Sequence, residues 1–316
     1  MKILLMYSNH EPSKEHISRL LSKSSDLKIS VAKSEHQALQ EAPTAKIFFG
    51  HRFLRQVLPF AENLRWIQSS SLGIDHVFSA ELLNRPILLT RCPVLAPLVA
   101  RHAYMLAWAL IRKLPEFFER QNKGIWDPFV EMFPLPRTAL ILGFGLVGKE
   151  LGRLLRQDGI QVWGVKRQFD RVSEECCDRL VLGEDWRDLL PSVDLCFLTL
   201  PLTKLTKKIF DEDALRSLPP HAILINVGRG ELVDTDALIK VLMEGHLGGV
   251  GLDVVPREPL TKDDPLWKIP RAIITPHVAA RYCERTQLLE EFFEKQLDRF
   301  LKGDPLEGVV NLTEYL

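Results

Sequence analysis

The feature that most constrains the fold of this chain is a glycine-rich turn near its centre. Residues Gly143–Gly148 read Gly-Phe-Gly-Leu-Val-Gly, follow the apolar run Thr138–Leu142, and precede a stretch in which leucines recur at helical spacing. A short, continuous apolar run is typical of a strand that is buried on both faces. Strand, glycine-rich turn and helix in this order predict a dinucleotide-binding βαβ unit, and a surface turn with incidental glycines is the alternative.

Each glycine of this turn has a physical reason in the nucleotide-binding interpretation. Gly143 allows the tight turn, Gly145 lets the backbone approach a pyrophosphate, and Gly148 lets the helix pack against the strand. Leu146 and Val147 begin the predicted helix, where free N–H groups face an anion. We therefore predict that these five residues bind the cofactor.

Length and composition limit the classes of protein to which the chain can belong. Its 316 residues suggest one large or two ordinary domains, and its hydrophobic content of 46% is normal for a globular protein. Lys and Arg together number 41, as do Asp and Glu, so the formal net charge is zero. This balance provides no general attraction to nucleic acid or to an anionic membrane, and we predict neither as a partner.

The start of the chain and its cysteines both indicate a cytoplasmic protein. The apolar run Met1–Tyr7 is too short for the core of a signal peptide, and Ala103–Ile111 is far shorter than the about 20 residues of a membrane-spanning helix. The five cysteines are an odd number and include no Cys-x-x-Cys motif. This pattern argues against a disulfide framework and against a zinc site, so we predict no bound metal.

Apolar runs alternate with helix-like stretches along the chain, which predicts βαβ units and parallel sheets. A long helical stretch, Ala96–Gln121, separates two such series, and Pro115 should bend or restart it. A final amphipathic helix is predicted over Glu284–Leu301. The predicted strands are Lys2–Tyr7, Leu27–Ala32, Lys46–Gly50, Trp66–Ser70, Ile87–Arg91, Thr138–Leu142, Gln161–Val165, Arg179–Leu182, Asp194–Leu200, Ala222–Val227, Gly249–Val255 and Ala272–Thr275.

Three side chains that could take part in catalysis follow predicted strands of the second series. They are Arg229, Glu258 and His277. Ligands of doubly wound sheets bind outside the carboxyl ends of the strands, so the three residues could converge on one crevice. Singly, each has an ordinary alternative: a surface arginine, a glutamate that caps or pairs with Arg257, and a packed histidine beside a proline turn. Together, behind a dinucleotide-binding turn, they favour a shared site.

The motifs of this chain together resemble the D-isomer-specific 2-hydroxyacid dehydrogenase family. They occur in the order and spacing of that family and extend over nearly the whole chain, which makes the resemblance specific. Within the family, the chain looks most like the short glyoxylate/hydroxypyruvate reductases. The matching segments are Gly143–Gly148, Pro201–Thr203, Ile225–Asn226 with Arg229–Gly230, Leu252–Val254, Glu258–Leu260 and Thr275–His277.

This resemblance implies an α/β fold of two domains. Residues 1–95, completed by 284–316, would form a flavodoxin-like substrate-binding domain, and residues 96–283 a doubly wound Rossmann dinucleotide-binding domain. The cleft between them would hold a small 2-oxoacid, which NAD(P)H reduces to the D-2-hydroxyacid. The resemblance also implies a homodimer.

The resemblance further assigns roles to the three side chains. Arg229 would clamp the carboxylate and carbonyl oxygens of the 2-oxoacid, for which a planar guanidinium is suited. His277 would donate a proton to the carbonyl oxygen, and Glu258 would favour the imidazolium and fix its tautomer. The hydride comes from the nicotinamide, so the protein mainly positions the reactants.

Other residues receive roles from the same resemblance. Leu72 and Gly73 lie in a loop whose N–H groups would bind the substrate carboxylate, although an ordinary Ser/Gly turn is the alternative. Asp253 would bind the nicotinamide carboxamide or serve as a structural aspartate at a strand end. Trp126 could line the substrate pocket of a neighbouring subunit, but we favour core packing. The remaining predicted cofactor contacts are Leu200, Pro201, Thr203, Val227 and Gly228.

The chain departs from the pattern of NAD-binding proteins after its second nucleotide-domain strand. An acidic residue usually stands there to hold the ribose 2′-hydroxyl, but this chain has Lys166 and Arg167. Two cations suit a 2′-phosphate, so we predict that NADP(H) is favoured over NAD(H). The alternative is that both side chains are solvated and either cofactor is accepted. Arg101 stands where the family often has glutamate, and its role is not predicted.

Two other functions remain open from the sequence. Some family members bind nicotinamide nucleotides and act as corepressors or sensors, but Arg229, Glu258 and His277 favour an enzyme. A phosphoglycerate-type dehydrogenase is the other alternative. Its phosphorylated substrate would need additional cations in the N-terminal domain, which His51 and Arg52 could supply.

Overall fold

The computed structural model describes residues 1–7, 11–77, 79–183 and 185–312. The chain forms two compact units: unit 1 comprises Met1–Leu95 and Tyr282–Leu316, and unit 2 comprises Ala96–Arg281. The last four residues of the predicted substrate-binding segment 284–316 lie outside the described residues.

Each predicted strand overlaps a strand of the structure. The differences are confined to strand ends, where the sequence predicts up to three residues that do not join the sheet. Within the described ranges the strands are β1 (Lys2–Leu5), β2 (Lys28–Val31), β3 (Ile47–Phe49), β4 (Trp66–Gln68), β5 (Leu88–Thr90), β6 (Thr138–Leu142), β7 (Gln161–Lys166), β8 (Arg179–Leu182), β9 (Leu195–Leu198), β10 (Ile223–Asn226), β11 (Gly249–Leu252) and β12 (Ala272–Ile274).

The long predicted helical stretch is two helices. The first ends at Ile111, Lys113 adopts a left-handed conformation with φ 54°, and Pro115 lies in the first turn of the next helix, where its missing N–H costs nothing. The α-helices in the described part of the chain are α1 (Lys14–Leu21), α2 (Glu35–Glu41), α3 (Leu54–Val57), α4 (Ala80–Leu83), α5 (Ala96–Ile111), α6 (Leu114–Asn122), α7 (Leu146–Gln157), α8 (Arg171–Glu175), α9 (Glu212–Ser217), α10 (Thr235–Met243) and α11 (Arg285–Lys302).

Unit 1 is built around a parallel sheet with the strand order β2-β1-β3-β4-β5. This order is that of flavodoxin-like folds and confirms the predicted fold class. Helix α11 belongs to this unit because its aromatic side chains cover the sheet. The ring of Phe293 lies 4.6 Å from that of Phe49 and 5.5 Å from that of Trp66, and Phe300 stacks on Trp66 at 5.0 Å.

Unit 2 contains a parallel sheet with the order β12-β11-β10-β9-β6-β7-β8. Strands β9, β10 and β11 are buried along their whole length, as expected for a sheet covered on both faces. Strand order reverses between β6 and β9, and a ligand of a doubly wound sheet binds at such a reversal. The predicted Rossmann architecture is therefore confirmed.

Helix α5 is more apolar than the sequence analysis recognised. Residues Pro93–Ile111 are long and apolar enough, by length and composition, to cross a membrane, but 61% of their most apolar stretch is buried inside the structure. Helix α5 packs against α7, β10 and β11 of its own unit. The run is therefore the core helix of unit 2.

Candidate functional site

One edge of the unit 2 sheet collects the loops that carry most of the predicted site residues. The last residues of five strands pair with one another in a single row, so the loops that follow them leave the sheet side by side. This row continues to Val165 of β7. The five residues are Ile274, Leu252, Asn226, Leu198 and Leu142.

Packing explains the first and third glycines of the turn after β6. A methyl group on Gly143, whose φ is 95°, would lie 2.7 Å from the backbone N of Leu200, and one on Gly148 would lie 2.8 Å from the Gly143 carbonyl oxygen. Gly145 differs, because the nearest atom to such a methyl group would be 3.9 Å away. The fold itself therefore requires Gly143 and Gly148, whereas Gly145 keeps the outer face of the turn open to an approaching ligand.

A buried aromatic ring within the turn, that of Phe144, holds the turn in place. Phe144 has no exposed surface, and it fits because Gly152 and Gly164 leave room for it: a methyl group on Gly164 would lie 2.4 Å from the ring. Helix α7 starts at Leu146, immediately after the turn. Its first N–H groups have no partner within the helix and carry partial positive charge, which suits a pyrophosphate. The residues present therefore fit a dinucleotide.

The loop after β9 lies against the same turn. The hydroxyl of Thr199 donates to the Gly143 carbonyl at 2.7 Å. Farther along, the Thr206 hydroxyl donates to the Pro201 carbonyl at 2.7 Å and accepts from the Thr203 N–H at 2.8 Å. These bonds hold Leu200, Pro201 and Thr203, all predicted cofactor contacts, in one defined loop at the strand-order reversal.

The loop after β10 is braced by a buried amide. The Asn226 side chain accepts from the Gly228 N–H at 3.0 Å and donates to the Arg229 carbonyl at 2.8 Å, which also fixes Val227 between them. The half-buried guanidinium of Arg229 donates from Nη1 to the Gly228 carbonyl at 2.6 Å.

Gly230 joins this loop to the loop that follows β11. A methyl group on Gly230 would lie 2.0 Å from the carbonyl carbon of Val255, so the two backbones are in contact. Only a glycine permits this approach. This backbone contact places the Arg229 loop next to the loop that carries Glu258.

Glu258 and His277 form a direct pair. Nδ1 of His277 lies 2.7 Å from Oε2 of Glu258, and the other carboxylate oxygen accepts from the Val255 N–H at 3.2 Å. The side chain of His277 is 53% exposed and that of Glu258 is 38% exposed. Within the described residues Nε2 of His277 has no hydrogen-bond partner, so this nitrogen can exchange a proton with a ligand.

The backbone of His277 is strained. Its φ is 51°, a left-handed conformation that few non-glycine residues adopt. The N–H of His277 donates to the carbonyls of Asp253 at 2.8 Å and Thr275 at 3.0 Å. Such strain persists only where the surroundings hold it, and it is common at functional sites.

Asp253 holds the turn around His277 from the buried side. Its carboxylate is 1% exposed and accepts from the Thr275 hydroxyl at 2.6 Å and from the N–H groups of Val278 and Ala279 at 2.9 and 3.0 Å. Burial raises the pKa of Asp253, but the hydrogen bonds from His102, Thr275 and the two N–H groups outweigh it and lower the pKa overall. Of the two interpretations of Asp253, this geometry favours the structural one.

His102 of α5 is a member of this network that the sequence analysis did not single out for a site. Its Nε2 lies 3.0 Å from the Thr275 hydroxyl and 3.4 Å from Oδ1 of Asp253. The available signal was a polar side chain on an otherwise apolar helix face. Its partner Asp253, 151 residues later in the chain, has no such local signal.

The two cations after β7 are in different situations. The ammonium of Lys166 pairs with Asp170 and lies 3.1 Å from the Ser173 hydroxyl. Although burial raises the pKa of Asp170, the bonds from Lys166 and Ser173 hold it well below its usual range. Arg167 is exposed. Lys166 is half-buried and Arg167 exposed, so Arg167 is the more accessible of the two predicted phosphate ligands.

The predicted substrate loop of unit 1 follows β4. Leu72 and Gly73 are half-buried, and neither N–H donates a hydrogen bond within the described ranges. The carbonyl of Ser70, two residues earlier, accepts from Arg285 at 3.1 Å. Two unbonded N–H groups in a loop tied to α11 can donate to a carboxylate.

His51 lies beside this loop but is not a cation near neutral pH. Its Nδ1 is 3.4 Å from the Ser70 hydroxyl. Burial, with the neighbouring His76 and Arg285, lowers the pKa of His51 to about 4. Arg52 lies over the Phe53 ring and 3.5 Å from the Tyr7 carbonyl. The charge that a phosphorylated substrate would need from His51 is therefore absent at pH 7.

The preferred interpretation of Trp126 was wrong. Its side chain is 94% exposed, so it does not pack in the core. It lies in a segment, residues 114–135, that we call the apolar arm. The arm includes the exposed side chains Leu114, Phe118, Ile125, Trp126, Phe129, Met132 and Leu135.

Comparison with known proteins places this geometry in a family. Residues 104–279 match the family model described as D-isomer specific 2-hydroxyacid dehydrogenase, NAD binding domain. The chain is 31% identical over 268 residues to a glyoxylate reductase of Thermofilum pendens, which covers 81% of this chain and 77% of the relative. It is 32% identical over 273 residues to a glyoxylate reductase of Pyrococcus furiosus, with coverage of 82% and 80%.

Solved structures show the same fold over the full chain. A D-isomer specific 2-hydroxyacid dehydrogenase family protein from Aeromonas salmonicida superposes with a TM-score of 0.81 at 29% identity, covering 98% of this chain and 99% of the other. An NADPH-dependent glyoxylate/hydroxypyruvate reductase from Sinorhizobium meliloti, solved with NADP and sulfate, superposes with a TM-score of 0.83 at 23% identity and covers 100% and 99%.

Proposed function

Because this chain belongs to the D-isomer-specific 2-hydroxyacid dehydrogenase family, we propose that it reduces a small 2-oxoacid of the glyoxylate or hydroxypyruvate kind to the D-2-hydroxyacid with NAD(P)H. The observation that carries the proposal is the His277–Glu258 pair at 2.7 Å. This pair lies on the sheet edge that also carries the Arg229 loop and the dinucleotide turn.

The nicotinamide supplies the hydride when it is bound. The protein must then deliver a proton to the carbonyl oxygen and hold the carboxylate. Nδ1 of His277 is occupied by Glu258, so Nε2 is the proton donor in this proposal. Glu258 also fixes the ring orientation.

Arg229 provides the substrate contact of unit 2 in this proposal. A guanidinium binds the carboxylate and carbonyl oxygens of a 2-oxoacid by paired, charge-assisted hydrogen bonds. For the loop of unit 1, the family resemblance alone suggests that the N–H groups of Leu72 and Gly73 donate to a substrate carboxylate. Because His51 is neutral near pH 7, a phosphorylated substrate is disfavoured, and we place phosphoglycerate behind the small 2-oxoacids.

We propose that NADP(H) is the preferred cofactor. Arg167 is exposed at the end of β7, where a dinucleotide-binding sheet holds the adenosine ribose. The carboxylate of Asp170 is already paired with Lys166, so it does not offer a free acceptor to a ribose hydroxyl. A 2′-phosphate therefore gains a cation, whereas a 2′-hydroxyl gains no acceptor.

We also propose a cytoplasmic homodimer. The five cysteines are all free, as expected in a reducing compartment. The apolar arm exposes Trp126 and Phe129 at 94% and 90%, and large exposed apolar side chains that recur along one segment support a protein–protein contact. Light scattering should give a dimer mass, and the double substitution of both aromatics by Ser should give a monomer. Leu205→Ser, at an 80% exposed position elsewhere in unit 2, should leave the mass unchanged.

A panel of 2-oxoacids with NADH and NADPH tests the reaction. The loss of absorbance at the nicotinamide band should be fastest with glyoxylate or hydroxypyruvate and NADPH, and the product should be the D-isomer where it is chiral. Absence of turnover with every 2-oxoacid, in protein that binds the cofactor, would favour the sensor alternative.

A further inference from the structure

The proposed proton donor sits on a turn that its own sequence does not stabilise. His277 has a left-handed backbone, and its side chain is 53% exposed, so packing of the ring cannot hold it in place. The turn is instead fixed by hydrogen bonds on its buried side, which converge on the carboxylate of Asp253. Whatever orients that carboxylate also orients His277.

His102 contacts this carboxylate from outside the active loops. It lies on α5, its side chain is 11% exposed, and its Nε2 is 3.0 Å from the Thr275 hydroxyl. That hydroxyl has one proton, which it donates to Asp253 at 2.6 Å. The hydroxyl must therefore accept from His102, which requires a proton on Nε2 of the ring.

We infer that His102 is a positioning residue for His277, acting through Thr275 and Asp253. The chain of contacts runs from the core helix α5 to the Thr275 hydroxyl, then to the Asp253 carboxylate, and from there to the N–H groups of Val278 and Ala279, the two residues that follow the donor. This inference rests on the proposed function, because it assigns His277 the proton transfer. The ordinary alternative is a core histidine that only stabilises α5.

Steady-state kinetics separate these two roles. His102→Leu removes the hydrogen bond, and a displacement of about 1 Å at a catalytic group can lower the rate by ~10²-fold. We expect kcat to fall by about that factor while KM for the 2-oxoacid changes less than about twofold. His102→Gln, whose amide can donate in place of Nε2, should recover most of the loss.

Leu110→Ala is the matched control. Leu110 is 3% exposed on the same helix, and its side chain lies against Gly249 of β11. This variant should lose stability but keep kcat at a temperature at which it is folded. Equal losses of kcat in His102→Leu and Leu110→Ala, a Gln variant as slow as the Leu variant, or unchanged kcat in His102→Leu would each overturn the inference.

A second variant and a second measurement keep the test decisive if His102→Leu folds poorly. Thr275→Val removes the shared hydroxyl, and the double variant with His102→Gln should be no slower than Thr275→Val alone, since both act on one contact. Independently of turnover, the ring nitrogen NMR signals of His277 should move in Thr275→Val and stay fixed in Leu110→Ala. Wild-type protein without activity would refute the proposed function, whereas His277 signals that do not move would refute the positioning role alone.

Discussion

The two halves of the functional edge in unit 2 are shaped by different physical means. At the β6–β7 end, the loops have their form because side chains are missing: a methyl group on Gly143 or Gly164 would overlap backbone or the Phe144 ring. At the β10–β12 end, apart from the close backbone approach at Gly230, the loops are held by hydrogen bonds to two buried polar side chains, Asn226 and Asp253. We call these the steric half and the polar half.

The difference concerns how each half can fail. The steric half needs no partner but tolerates no added atom, since its contacts are backbone against backbone. The polar half tolerates changes of shape at its exposed surface, but a lost partner leaves a buried group unsatisfied. The proposed proton donor, His277, lies in the polar half, and its side chain is 53% exposed.

The largest effect is expected at the exposed tip of the polar half. His277→Ala should lower kcat by ~10²–10⁴-fold, the usual contribution of a general acid, while the affinity for the nicotinamide cofactor stays unchanged. The substituted alanine would adopt the same left-handed backbone as the histidine, with φ 51°, so the thermal midpoint should change little. Turnover and cofactor fluorescence titration measure the two quantities.

His221 provides the matched control for this substitution. It is 41% exposed and pairs with Asp194 at 2.8 Å, but it precedes β10 and so lies at the opposite edge of the sheet. His221→Ala should keep full turnover. If His277→Ala retained more than a tenth of the wild-type kcat, the assignment of the proton donor would be wrong.

The steric half should respond most strongly to one added methyl group. Gly143→Ala places a Cβ 2.7 Å from backbone at a φ of 95°, so the free energy of unfolding should fall by about 3 kcal/mol. Gly145→Ala is the matched variant, because its Cβ would be 3.9 Å from the nearest atom. It should change stability by less than about 1 kcal/mol and still weaken cofactor binding.

Denaturant unfolding and cofactor titration distinguish the two glycines. The comparison between the halves would fail if Gly143→Ala were as stable as the wild type. The nucleotide-binding interpretation of the open face would fail if Gly145→Ala bound the cofactor normally.

The same contrast explains which parts of the site could be predicted from the sequence. The steric half is local: strand, three glycines and helix lie within 20 residues of one another, about the length of one βα unit, and their spacing alone indicates the turn. The strands were visible for a similar reason, since buried parallel strands are continuous apolar runs. Register then aligned the loops that carry Arg229 and His277.

The polar half could be predicted only in part. The strand ends predicted a shared crevice for Glu258 and His277, and the resemblance paired them, but the role of Asp253 depends on Thr275 and on His102 of α5. No local pattern connects these positions. Trp126 shows the same limit at the surface, because an aromatic side chain in a loop carries no sequence signal that distinguishes core from exposed arm.

Asp253→Asn should weaken the polar half in a manner that depends on pH. The amide replaces an acceptor with a donor opposite an N–H group, so the free energy of unfolding should fall by ~1–3 kcal/mol at pH 7. The pKa of Asp253 is lowered in the folded state, so its ionised form stabilises the protein above the ordinary carboxyl range near ~4 and this stabilisation is lost as pH falls through the folded pKa.

The difference between wild type and Asp253→Asn should therefore be largest at neutral pH and shrink below about pH 4. Denaturant unfolding at a series of pH values measures it. A difference that stayed constant, or grew toward acid, would show that folding does not lower the pKa of Asp253.

The smallest effect is expected from Arg167, the exposed cation at the end of β7. Arg167→Gln should lower kcat/KM for NADPH by about fivefold, since an exposed ion pair contributes at most about 1 kcal/mol, and should leave kcat/KM for NADH unchanged. Arg171→Gln makes the same change of charge four residues later, at a side chain that is 86% exposed and paired with Glu175, and should affect neither cofactor. Equal losses with both cofactors in Arg167→Gln would show that Arg167 supports the loop rather than the 2′-phosphate. The steric half would then distinguish NADPH from NADH by shape alone. The contrast between a half that acts through close packing and a half that acts through polar groups would become sharper.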